Sequence, residues 1–271
     1  MRDRDRKPKF RAARPKRPER SRESGGARWR GREGEADGTV ILYGWHTVTA
    51  ALANPNRRIR KLLLTENAAR RLAEEKIDTR VTPEIVRPQL IDQRLGPDAV
   101  HQGLFAEADP LASPGVDTLP EDGIVLVLDQ ITDPHNVGAI LRTAAAFAVA
   151  AVVTTARHSP QATGVLAKAA SGALEWVPMV IVPNLARALA ALKAQGFAVI
   201  GLDGGAADDL AAMTLSSPLA LVLGAEGKGL RQGTRAGCDG LARLHLPGAI
   251  KSLNVSNAAA LALYIASRSL V

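Results

Sequence analysis

The residues with the strongest claim to chemistry sit in three short stretches of the C-terminal half. Asn136 and Arg142 lie in LDQITDPHNVGAILRTAAAF, Glu226 in LALVLGAEGKGL, and Ser252 and Asn254 in LHLPGAIKSLNVSNAAALALY. Each stretch opens as an apolar run, passes through turn-forming residues and, in the first and third, continues as a helical pattern. In the first, Asn136 can cap the helix and Gly138 permits close approach of another segment. In the second, three glycines surround one carboxylate, exposing backbone N–H groups to a ligand. In the third, Ser252, Asn254, Ser256 and Asn257 crowd the start of a helix, more hydrogen-bonding side chains than one cap needs. Taken singly, each has an ordinary structural reading: a cap, a solvated arginine, a tight turn.

Other chemistries lack their residues. The glycine spacing matches neither GxGxxG nor the phosphate loop GxxxxGK[ST]. The five histidines are scattered without HxxxH or HExxH, so no metal site is expected. No GxSxG elbow is present. His135 has the chemistry of a base but equally that of a loop histidine, and it is given no role. Cys238 is the only cysteine, which excludes an internal disulfide and fits a reducing cytoplasm. No apolar run has membrane-spanning length, and the N-terminus lacks the apolar segment of a secretory signal.

The elements that must position these residues follow from periodicity. From Ile124 onward, IVLVLD, AVVTT, VPMVIV, AVIGLD, LALVLG and LARLHL alternate with helical patterns. Their continuous apolar character predicts strands covered on both faces, hence an α/β domain with a mostly parallel sheet. Ligands bind such sheets beyond the carboxyl ends of the strands. Upstream, residues 38–108 hold a smaller α/β pattern, with strands at VILYG, KLLLT and HQGLFAEA and helices at WHTVTAALAN and ENAARRLAEE. DPLASPGVDTLPEDG, residues 109–123, reads as a linker, and residues 124–271 form the second domain.

Charge is distributed unevenly. Residues 1–37 carry fourteen Lys or Arg against seven Asp or Glu, so most of the net charge of +8 belongs to that segment. With almost no apolar residues it reads as a disordered basic tail, suited to attracting RNA through its phosphates. A solubilising extension would have the same composition.

Together, NVGAILR, LVLGAEGKG and LHLPGAIKSLNVSNAAALALYI resemble the SpoU/TrmH group of the SPOUT methyltransferases, whose motifs read approximately NxGxxxR, LxxGxExxG and IPMxGxxxSLNVSxAxxxxxYE. The resemblance covers residues 124–271 in order and at matching spacing. YGWHTVTAAL and AVHQGLFA resemble the ribosomal-protein-like RNA substrate-binding domain that precedes the catalytic domain in this family. Two positions depart from the pattern: His245 stands where proline is usual, and Ile265 where glutamate usually follows the tyrosine.

The resemblance implies a cytoplasmic, S-adenosylmethionine-dependent RNA 2′-O-methyltransferase, a homodimer with a trefoil knot in its C-terminal part. It implies that Leu202, Gly224, Leu244 and Leu253 hold the cofactor. Asn136, Arg142, Glu226, Ser252 and Asn254 would form the catalytic site. Arg142 would act on the 2′-hydroxyl either by accepting its proton or by binding phosphate and stabilising charge on the oxygen. The two-domain layout resembles members acting on a guanosine of 23S rRNA more than those acting on tRNA. A dinucleotide-dependent enzyme would need the missing GxGxxG. A non-catalytic RNA-binding protein would need only the tail and the first domain, and would leave the polar loops without a purpose.

Overall fold

The structure is a computed structural model that describes residues 38–157 and 164–270. The basic segment read at residues 1–37 lies outside the described residues.

The first sheet has four strands, β1 (Val40–Tyr43), β2 (Ile59–Leu64), β3 (Glu84–Ile85) and β4 (Leu104–Ala108), in the order β1-β4-β2-β3. β4 runs antiparallel to both β1 and β2. Helix α1 (Trp45–Ala53) buries Trp45, Val48, Ala51 and Leu52 against this sheet. Helix α2 (Glu66–Glu74) begins where the Thr65 hydroxyl accepts the Ala68 N–H. Ala68 and Leu72, four residues apart, face inward, and Arg71 lays its guanidinium 3.6 Å over the Trp45 ring. A third helix, α3 (Pro88–Leu95), buries Ile91.

The second sheet has seven strands: β5 (Ile124–Asp129), β6 (Ala151–Thr155), β7 (Met179–Val182), β8 (Ala198–Leu202), β9 (Asp208–Asp209), β10 (Leu219–Gly224) and β11 (Gly240–Arg243). Their order is β7-β6-β5-β10-β8-β11-β9, and every pairing is parallel. All six residues of β5 are buried, as continuous apolar patterning requires of a strand covered on both faces. Leu126 and Leu128 pack towards α4 (Pro134–Ala146), α5 (Gly164–Ala170) and α8 (Val255–Ser269). Val125 and Val127 pack on the other side, towards α6 (Leu185–Ala194). α4 and α5 cross closely at Gly138, where a Cβ would stand 2.4 Å from that of Ala169. A short α7 (Gln232–Gly237) precedes β11.

The connecting segment 109–123 is not a loose tether. Leu119 is buried in the α6-side core and Val116 packs against it. The Ser113 hydroxyl donates to the Met179 carbonyl and accepts the Ile181 N–H, both at 2.9 Å, so the segment lies along β7.

Candidate active site

Strand order decides which loops meet. β5, β10, β8 and β11 are consecutive in the sheet, so the segments leaving their carboxyl ends converge. Those segments carry the sequence-predicted residues.

Asn136 is not the cap of α4. Asp133 takes that place, its carboxylate accepting the His135 N–H, with Pro134 opening the helix. Asn136 therefore sits inside the first turn with its side chain free for other bonds. Its amide oxygen accepts from Asn254 Nδ2 at 2.9 Å, and its own Nδ2 lies 3.4 Å from Glu226 Oε1. Glu226 Oε1 also receives Asn254 Nδ2 at 2.9 Å and the Val255 backbone N–H at 3.1 Å. The carboxylate thus caps α8 from another loop, where the helix dipole favours an anion. Asn254 is the N-cap proper, accepting from the Ser256 N–H at 2.9 Å and the Ser256 hydroxyl at 2.5 Å. One carboxylate oxygen and two amides tie α4, the loop after β10 and α8 into a single junction.

The glycines of the middle loop have different tasks. Ala225 and Gly229 bridge across a tight turn, the Gly229 N–H donating to the Ala225 carbonyl at 2.8 Å. The turn folds back onto Gly224, where a Cβ would stand 2.3 Å from the Gly229 carbonyl carbon. Only glycine leaves room there. Gly227 and Gly229 have φ of 73° and 65°, the left-handed region that side chains disfavour. Behind the turn, Arg231 is held to Asp129 at the end of β5.

Leu202 ends β8, Gly224 ends β10, Leu244 follows β11 and Leu253 precedes α8; all four are half-buried. Leu202 and Leu244 pack against the α4-side core. Beside them the loop after β8 is shaped by Asp203, whose carboxylate accepts the Gly205 N–H and pairs with Arg235. Lys251 donates to the Leu246 carbonyl at 2.7 Å, bending the segment that leads to Leu253. Leu202, Gly224 and Leu244 thus stand at the carboxyl ends of neighbouring parallel strands, where such sheets bind ligands.

Arg142 stands apart from the junction. It is exposed on α4, makes no hydrogen bond or ion pair with another described residue, and borders an open groove of about 470 Å³ with Ala139, Thr143, Ala146 and Phe147. Six residues of helix separate it from Asn136 by about 9 Å along the axis. Ser252 is exposed and its hydroxyl bonds to no described residue, so it is not part of the junction. His245 is exposed. Ile265 packs against the α4-side core, so the departure from glutamate places an apolar side chain inward. In the sequence Asp129 reads only as the end of a strand and Arg231 is assigned nothing; an aspartate closing the apolar run IVLVLD is the available signal for their pairing.

Residues 123–264 match the SpoU rRNA Methylase family, and residues 41–114 match the RNA 2′-O ribose methyltransferase substrate-binding family. The chain belongs to the SpoU rRNA methylase family. Among its relatives in that family, it is 37% identical over 238 residues to the 23S rRNA (guanosine-2′-O-)-methyltransferase RlmB of Pseudomonas putida, a match covering 84% of this chain and 95% of that protein. It is 40% identical over 234 residues to RlmB of Pasteurella multocida, covering 82% and 95%. Among solved structures, the SpoU methyltransferase AviRb from Streptomyces viridochromogenes, in complex with the cofactor AdoMet, superposes with a TM-score of 0.71 at 26% identity, covering 85% of this chain and 90% of that one.

Proposed function

We propose that the protein transfers a methyl group from S-adenosylmethionine to the ribose 2′-hydroxyl of a guanosine in 23S rRNA. The observation that carries this reading is the junction of Asn136, Glu226 and Asn254, three family-motif residues from three segments far apart in sequence, beside Leu202, Gly224, Leu244 and Leu253 at and after the strand ends. The near full-length likeness to RlmB proteins supports the substrate.

When bound, S-adenosylmethionine supplies a methyl that is already strongly electrophilic. The protein's part is to hold both reactants in line and to ease loss of the ribose proton. Glu226 and the two asparagines fix the start of α8 relative to α4. Arg142, exposed on the same α4, presents donors to the RNA. A guanidinium has five donors and no acceptor, so its direct service is to bind phosphate or stabilise the developing 2′-oxyanion. Ser252 lies on the exposed approach to α8, where an RNA contact is open to it. The reading includes a cytoplasmic homodimer with a knotted C-terminal part. Among the described residues, no helix is long and apolar enough to cross a membrane.

The test is methyl incorporation from labelled S-adenosylmethionine into 23S rRNA from cells lacking the gene, followed by ribose-methylation mapping. One guanosine should acquire the label. Label on tRNA alone, or on no RNA, would refute the assignment.

A further inference from the structure

Domain contacts within one chain are commonly loose and polar. The contact between the two domains here is polar at its centre but tightly closed. Arg57, just before β2, and Glu175, just after α5, form an ion pair whose side chains are 3% and 1% exposed. Arg57 Nη2 donates to Glu175 Oε1 at 2.6 Å, and Nε lies 3.1 Å from both carboxylate oxygens. Asn54 Nδ2 donates to Oε2 at 2.8 Å, and Arg57 Nη1 donates to the Asp109 carbonyl at 2.7 Å. Arg80 then donates to the carbonyls of Asn54 and Arg57, holding their backbone. Every component of the pair has a partner.

The surroundings close over it. Ala167 of α5 belongs to the core of the first domain, and Leu174 packs against the cores of both. The Thr47 hydroxyl donates to the Ala167 carbonyl at 3.2 Å. At Gly172 a Cβ would stand 2.6 Å from that of Ala50 and 2.8 Å from the His46 carbonyl oxygen. α1 therefore approaches the turn after α5 as closely as backbone allows.

A buried ion pair adds little net stability, because desolvation offsets attraction, but separating its partners strands two uncompensated charges. Rotate the domains slightly and two buried charges lose their partners. We infer that Arg57 and Glu175 lock the small domain at one position on the methyltransferase domain, making it a ruler that selects which nucleotide reaches Arg142. They are positioning residues. The ruler rests on the function proposed above; the lock does not.

Glu175→Arg tests both, because it sets two cations against each other in the seam. Hydrogen exchange should quicken in α1 and in residues 164–175, and small-angle scattering should show a larger maximum dimension. S-adenosylhomocysteine affinity should stay near wild type, since Leu202, Gly224, Leu244 and Leu253 lie on other segments. KM for 23S rRNA should rise about tenfold or more, and label should appear at guanosines the wild type leaves unmodified. If the reversal does not fold, Glu175→Gln keeps the shape, removes the charge, and should give the same changes in smaller degree. Unchanged exchange and scattering would overturn the lock. Loosening with unchanged RNA KM and site choice would overturn the ruler. If the wild type methylates no RNA, the proposed function fails, and exchange and scattering still decide the lock.

Discussion

Asp129 and Arg231, 102 residues apart in sequence, meet in a two-point clamp: Arg231 Nε donates to one carboxylate oxygen at 2.7 Å and its backbone N–H to the other at 2.9 Å. Asp129 is fully buried at the end of β5, while the Arg231 side chain is 40% exposed. The clamp closes the base of the turn that carries Glu226. Asp129→Asn presents an amide N–H₂ where a donor already points. It should cost about 1–3 kcal/mol by urea denaturation, at the low end because the arginine is partly solvated. Cofactor affinity should fall with it. A folded Asp129→Asn variant with wild-type affinity would show that the turn holds its shape unaided.

Glu226→Ala removes an acceptor used by Asn254 and the Val255 N–H and approached by Asn136. The single-turnover methyl-transfer rate should drop roughly a hundredfold, while the loss of one cap costs about 1 kcal/mol. Glu226→Gln keeps the oxygen acceptor and should recover most of the rate. Equal damage from both variants would mean that the charge, rather than the hydrogen bonding, is what the site needs.

Arg142→Ala should abolish methyl transfer with folding and S-adenosylhomocysteine binding intact, because the side chain supports nothing else among the described residues. Arg142→Lys separates charge from shape. Lysine keeps the cation but loses the planar fork, so it should rescue little if two oxygens are gripped at once. Rates at saturating RNA and cofactor isolate the chemical step. A near-normal rate for Arg142→Ala would take Arg142 out of the mechanism.

Gly224→Ala places a methyl where the Gly229 backbone already lies. The turn must move, and calorimetric affinity for S-adenosylhomocysteine should fall at least about tenfold. Gly233→Ala, a position with open space, is the control and should bind normally.

Cys238 is half-buried, and desolvation first, then the neighbouring Asp239, pushes its thiol up to about 11. The folded state prefers the neutral thiol, so this group's stabilising contribution is full below the ordinary thiol range and is lost as pH rises through about 11. At pH 8 the native protein should resist alkylation and the urea-unfolded protein should react readily, as mass spectrometry would show. Rapid labelling of the native state would contradict the burial.

Much of this architecture was legible because it rests on local pattern. IVLVLD, AVVTT and LALVLG are too continuously apolar to be anything but strands covered on both faces, and each is one. Where the sequence misled, competing local chemistry was the cause. Asn136 has the makings of a cap, but Asp133 followed by Pro134 is the stronger start, and displacement from the cap frees Asn136 for Asn254. β3 and α3 escaped notice because they bury little: both β3 residues are exposed and α3 buries only Ile91. Segment 109–123 has a linker's composition, yet Val116 and Leu119 were enough to dock it. The Arg57–Glu175 pair left no trace, since its members lie 118 residues apart and outside any motif.

The seating of Ser113 on β7 has a consequence for the protein's life at high concentration. Among the described residues β7 is the outermost strand on its side of the sheet, and Ile181 remains 39% exposed. Such a margin, with unpaired N–H and C=O groups beside an apolar side chain, is a template on which a strand of another molecule can add. Ser113 occupies the bonding groups of Met179 and Ile181 with a single hydroxyl, and Val116 and Leu119 hold the segment down. The connection between the two domains thereby also serves as a guard against strand-to-strand aggregation.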